Sequence, residues 1–87
     1  MTLQLLDEYL ENKLKQNNEL VIYSFYEVRV KQNLKVEESL NYLHLVAIKL
    51  ENLGYKVYRT GQSYTYKGKD YKVKSNELLV AVKKEVM

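Results

Sequence analysis

The residues best suited to chemistry lie in one stretch, "GYKVYRTGQSYTYKGKDYKVKSNELLVAVKK", residues 54–84. Lys67, Lys69, Lys72 and Lys74 sit at or near its middle, with Lys56 and Arg59 upstream. Tyr64, Tyr66 and Tyr71 are interleaved with them. A lysine held near a phosphate releases condensed counterions, so this pattern suits salt-dependent contact with a polyanion. A basic hairpin tip also suits the minor groove, whose negative potential is strongest over A·T runs. The phenols can donate hydrogen bonds to phosphate oxygens. The same residues have a structural use: lysines keep a sheet edge from pairing, and tyrosines pack across strands.

The charge distribution favours the first use. Residues 1–54 carry six basic and eight acidic side chains, whereas residues 55–87 carry eight basic and three acidic. The overall charge of +3 therefore hides a net −2 half and a net +5 half. Five of the nine tyrosines fall in the basic half. Such an asymmetry points to a polyanionic partner.

Other chemistries find little support. There is no cysteine, which excludes disulfides and thiolate metal ligands. The one histidine, His44, would need several carboxylates to build a zinc site. No nucleophile–base pair and no Gly-rich phosphate cradle is visible. Asp70, in a lysine-rich turn, suits a local pair better than a general base. The expectation is a protein that is not an enzyme, with no catalytic residues, no metal and no cofactor. No apolar run is long enough to span a bilayer. The N-terminus, "MTLQLLDEYLENK", has acids where a signal peptide has lysines. A cytoplasmic protein without a membrane partner is expected. A chain of 87 residues suits one domain, 1–87, whose small core makes association with a second copy a reasonable prior.

The elements that must position the basic stretch follow from periodicity. "TLQLLDEYLENKLKQ" predicts a first helix, with Leu3, Leu6, Leu10 and Leu14 on one face. Thr2 is placed to cap it, and Lys13 and Lys15 suit its C-terminal end. "LVIYSFYEVRV", residues 20–30, fits a strand by alternation and a helix through Val21, Phe25 and Val28. The following "QNLKVEESL" reads as a turn between helices, which favours the helix. Asn33 tolerates the left-handed conformation, and Leu34 can enter the core. A helix is predicted from about residue 36 to 53, ended by Gly54. Val36, Leu40, Leu43, Ala47 and Leu50 form its apolar stripe, which Leu45, Ile48 and Leu53 widen. After Gly54 the period becomes two: "YKVYRT", "SYTYKG", "YKVK" and "ELLVAVKK" predict a β-meander with turns at "KGKD" and "SN".

The run "LENLGYKVYRTG", residues 50–61, resembles the join between recognition helix and wing in winged helix-turn-helix proteins. There a helix ends on Leu-x-x-x-Gly and a strand follows at once with Val or Ile and then a basic residue. Leu50, Gly54, Val57 and Arg59 match. "NLKVEE" stands where that family has its helix-turn-helix corner. The resemblance implies an α+β winged helix-turn-helix fold, three helices followed by an antiparallel meander or wing. It implies a double-stranded DNA partner and a homodimer matched to two half-sites. The wing contacts would come from Arg59, Tyr64, Tyr66, Lys67, Lys69, Lys72 and Lys74. Ser39, Asn41, Tyr42 and Lys49 are the helix candidates, Asn41 being suited to reading adenine. Glu37 and Glu38 depart from the basic residues that family members place near phosphates.

The size, the plan and the Lys/Asn/Tyr-rich, proline-free composition are also similar to small winged-helix proteins of clostridial plasmids and phages. Among these are the relaxosome accessory proteins of the TcpK type, from conjugative plasmids. That narrower likeness implies origin-of-transfer recognition alongside a relaxase or other mobile-element protein. A small transcriptional regulator is the other role the resemblance implies. Two readings from other classes stand beside it. One is a protein–protein adaptor docking through helix 36–53. The other takes residues 20–30 as a strand, in an α+β sheet protein that binds RNA.

Overall fold

The computed structural model describes the backbone of residues 3–86 and the side-chain surroundings of residues 8–85. Helix α1 is Leu3–Gln16, strand β1 is Leu20–Ser24, and a π-type helical segment covers Tyr26–Lys31. Helix α2 is Val36–Asn52, followed by β2 (Tyr55–Arg59), β3 (Ser63–Tyr66), β4 (Lys69–Lys72) and β5 (Glu77–Lys83). A short 3-10 turn, Lys84–Val86, ends the described chain. The class is α+β, with three helices and antiparallel sheets, as expected. The expected cap at Thr2, and the side chains of Leu3 and Leu6, fall outside the described residues. None of the described helices is long and apolar enough to cross a membrane.

Residues 20–30 correct the expectation of a helix. Their first half is a strand that pairs antiparallel with β5, with Leu20 opposite Val82 and Ile22 opposite Val80. The second half turns helical at Ser24. There the Glu27 amide donates to Ser24 Oγ at 3.2 Å, and the Ser24 amide donates to Glu27 Oε2 at 2.9 Å. This reciprocal exchange is a capping box, and it starts a helix where the strand pairing stops. Gln32 N–H then donates to the Glu27 carbonyl five residues back, the wider π-type winding. Val21 and Val28 are buried as the helical stripe required, but Phe25 is exposed.

The strand arrangement corrects the meander. β5 lies in the middle of a three-stranded sheet, β1-β5-β2, while β3 and β4 form a separate two-stranded hairpin. Helices and hairpin take opposite faces of that sheet. Tyr23, Leu79 and Ala81 join a core with α1 and α2 through Leu10, Leu43, Val46 and Leu50. Val80 and Val82 join Tyr64 and Val73 in a second core, edged by Leu20, Ile22, Tyr58 and Tyr66. The hairpin therefore lies back over the sheet. A strand covered on both faces needs a continuous apolar run, and this accounts for "LLVAV" in β5.

Helix α2 keeps its predicted length but presents a different face. Ser39, Tyr42, Leu43, Val46, Ala47 and Leu50 are buried. Val36 and Leu40, assigned to the inward stripe, are exposed, as are Leu45, Ile48 and Leu53. Ser39 enters the core because its hydroxyl donates to the Val36 carbonyl at 2.7 Å and so keeps a partner there. The turn before α2 is as expected: Asn33 has φ 55° and Leu34 is buried. Gly54, at φ 93°, takes the left-handed conformation that closes α2.

Candidate nucleic-acid interface

The hairpin is closed by Lys67 (φ 52°) and Gly68 (φ 80°), a two-residue turn with both positions left-handed. Turns of this hand match the twist of the strands they join. Across it Tyr66 pairs with Lys69, Thr65 with Asp70, Tyr64 with Tyr71 and Ser63 with Lys72. Alternation sends Tyr64 and Tyr66 toward the sheet, and Ser63, Thr65, Asp70 and Lys72 away from it.

Tyr64 is buried and lies between two other rings, 5.6 Å from Tyr58 and 5.4 Å from Tyr71. The Tyr64–Tyr71 planes are only 19° apart, a cross-strand stack. Burial first, then Glu77 and Tyr71, raises the Tyr64 phenol above its ordinary value and keeps it neutral. Tyr64 thus follows the structural use of the tyrosines, and Tyr71 forms the exposed end of the row.

The cations are open to solvent, although Lys69, opposite Tyr66, shares the sheet-facing side of the hairpin. Lys67, Lys69, Lys72 and Lys74 are all exposed, and Arg59 is half-buried at the end of β2. The Arg59 amide donates to Gln62 Oε1 at 2.6 Å, which fixes the strand end where the hairpin begins. Lys56 is exposed, its ammonium 5.6 Å from the centre of the Tyr58 ring. Asp70 accepts a hydrogen bond from Thr65 Oγ1 at 2.9 Å, a local pair across the hairpin.

Tyr66 and Lys67 meet a residue that pattern reading missed. The Tyr66 hydroxyl donates to Glu19 Oε1 at 3.3 Å, and Lys67 Nζ lies 3.3 Å from the same oxygen. This pairing raises the Lys67 ammonium above its ordinary value. Glu19 stands 47 residues before Tyr66, in the link between α1 and β1. No local signal in the sequence joins the two.

The helix candidates divide. Asn41 is exposed, and Lys49 is half-buried on the same helix. Ser39 and Tyr42 are turned into the core and do not reach the surface of α2. The Tyr42 hydroxyl accepts a hydrogen bond from Gln32 Nε2 at 3.2 Å. The outward face of α2 carries Glu37, Leu40, Asn41, His44, Leu45 and Ile48, more apolar and acidic than basic. The structure does not bring Asn41 or Lys49 into a cluster with the hairpin lysines.

No protein-family model matches the chain, and neither the curated proteins nor the solved structures searched give a match.

Proposed function

We propose that the chain is a winged helix-turn-helix protein that binds double-stranded DNA through its basic hairpin. The observation that carries this reading is the hairpin itself. A helix ending at Gly54 leads directly into a strand with Val57 and Arg59, and the hairpin beyond it exposes Lys67, Lys69, Lys72 and Lys74. Its tyrosines face inward or along the ladder, so the lysines are presented on a rigid, packed support rather than on a loose loop. The apolar, acidic outer face of α2 makes phosphate contact by the hairpin the larger part of the interaction. Asn41, exposed on α2, is the helix residue that would read a base edge. A homodimer, and a role as a mobile-element accessory factor or small regulator, complete the proposal.

The triple variant Lys67→Gln, Lys69→Gln, Lys72→Gln tests it. Each lysine that touched phosphate should flatten the slope of log affinity against log salt by about 0.9. Affinity at low salt should fall on every duplex alike, because phosphate contacts carry no sequence information. Unchanged affinity and slope would remove the hairpin from the interaction.

One observation favours a second reading. Leu40, Leu45 and Ile48 are exposed on α2. A protein–protein adaptor docking through helix 36–53 would use them. It predicts no DNA binding at low salt for the wild type, and a stable protein partner in pull-downs.

A further inference from the structure

We propose that Tyr66 and Lys67 form a seat for one phosphodiester oxygen, and that Glu19 fills this seat as an internal competitor. The inference rests on the DNA-binding reading and adds a regulator to it. Two donors from adjacent residues converge on one anionic oxygen, Glu19 Oε1, each at 3.3 Å. A carboxylate oxygen and a phosphodiester oxygen offer such donors the same acceptor chemistry. The donors are arranged before any ligand arrives. Lys67 Nζ stands 5.4 Å from the centre of the Tyr66 ring, and the ring packs at the edge of the Val80–Val82 core.

The competitor is fixed by its backbone rather than by its side chain. The Glu19 amide donates to Asn17 Oδ1 at 2.9 Å, and the Glu19 carbonyl accepts from the Lys83 amide at 2.9 Å. The side chains are open to solvent, 34% exposed for Glu19 and 61% for Lys67. Both contacts are longer than the 2.7–2.9 Å typical of charge-assisted bonds. An exposed ion pair of this kind separates at little cost. A phosphate can therefore displace Glu19 without disturbing the fold.

The test is fluorescence anisotropy of the full chain on a random-sequence duplex across a salt series. Glu19→Gln should bind about two- to fivefold more tightly at low salt, the range an exposed ion pair spans. Its log–log slope should steepen by up to about 0.9, as Lys67 is released to phosphate. Glu51→Gln, which removes an exposed carboxylate of α2, measures the effect of net charge alone. The gain should vanish when Lys67→Gln is added to Glu19→Gln. A Glu19→Gln gain no larger than that of Glu51→Gln, or one that survives in the Lys67→Gln background, overturns the proposal but leaves the DNA-binding reading standing. Absence of binding by wild type and Glu19→Gln alike overturns both.

Discussion

Leu79→Ala should lower stability by about 2–5 kcal/mol, the range for removing a fully buried leucine. Leu79 is 0% exposed on β5, the strand that every other layer contacts. Tyr23 of β1 stands opposite it on one side and Arg59 of β2 on the other. Its side chain belongs to the helix-side core, so the cavity opens on the helix side of the sheet, among close-packed side chains that include Tyr23 and Leu50. Urea unfolding followed by circular dichroism reads the change as a lower midpoint at unchanged slope. A loss under about 0.5 kcal/mol, the range of ordinary surface changes, would contradict the central place given to β5.

Glu27→Ala is the second large effect, about 2–3 kcal/mol. That is less than the 3–5 kcal/mol of a fully buried broken pair, because the side chain keeps some contact with water. Glu27 Oε1 accepts from the Tyr9 hydroxyl at 2.7 Å and pairs with Lys13 Nζ at 2.6 Å. Glu27 Oε2 accepts from the Ser24 amide at 2.9 Å and from Ser24 Oγ at 3.1 Å. One carboxylate thus ties α1 to the capping box that follows β1. Lys13 also donates to the Ile22 carbonyl at 2.7 Å and lies 4.8 Å from the centre of the Tyr23 ring. Alanine would leave that ammonium half-buried without its counter-charge.

Glu27 also makes stability depend on pH. Burial raises its carboxyl, but hydrogen bonds from Lys13, Ser24 and Tyr9 outweigh burial and hold it below the ordinary 4.5. A depressed folded value means the unfolded chain binds the proton more readily. The stabilisation is therefore complete above about pH 4.5 and is lost as pH falls through the lower folded value. Glu27→Gln keeps the volume and removes this acid-side loss. Equal acid sensitivity in wild type and Glu27→Gln would contradict the assignment.

What was legible in the sequence was what neighbouring residues decide. Gly54 as a stop, Asn33 in the left-handed region and the Lys67–Gly68 turn each depend on a backbone conformation that few residues adopt. The length of α2 was legible for the same reason. Its buried side was not, because residue type misplaced Ser39 and Tyr42, whose hydroxyls find partners inside. The split at Ser24 was written locally as "SFYE", an S-x-x-E capping pattern, but a plausible helical stripe ran across it. Its strand partner, β5, begins at Glu77, far beyond any local window. The same distance hid the hairpin's place over Val80 and Val82, and hid Glu19 beside Lys67. The basic hairpin was visible at once because charge needs no fold to be counted.

The most direct test of the central claim is the salt dependence of wild-type binding to random and A·T-rich duplexes, by fluorescence anisotropy. Contact of the exposed hairpin lysines with phosphates predicts a slope of log affinity against log salt near −0.9 for each one engaged, about −2.7 for Lys69, Lys72 and Lys74, rising to about −3.6 as Lys67 is released from Glu19. No binding even at low salt, or a slope near zero, would contradict it and leave the lysines as guardians of a sheet edge.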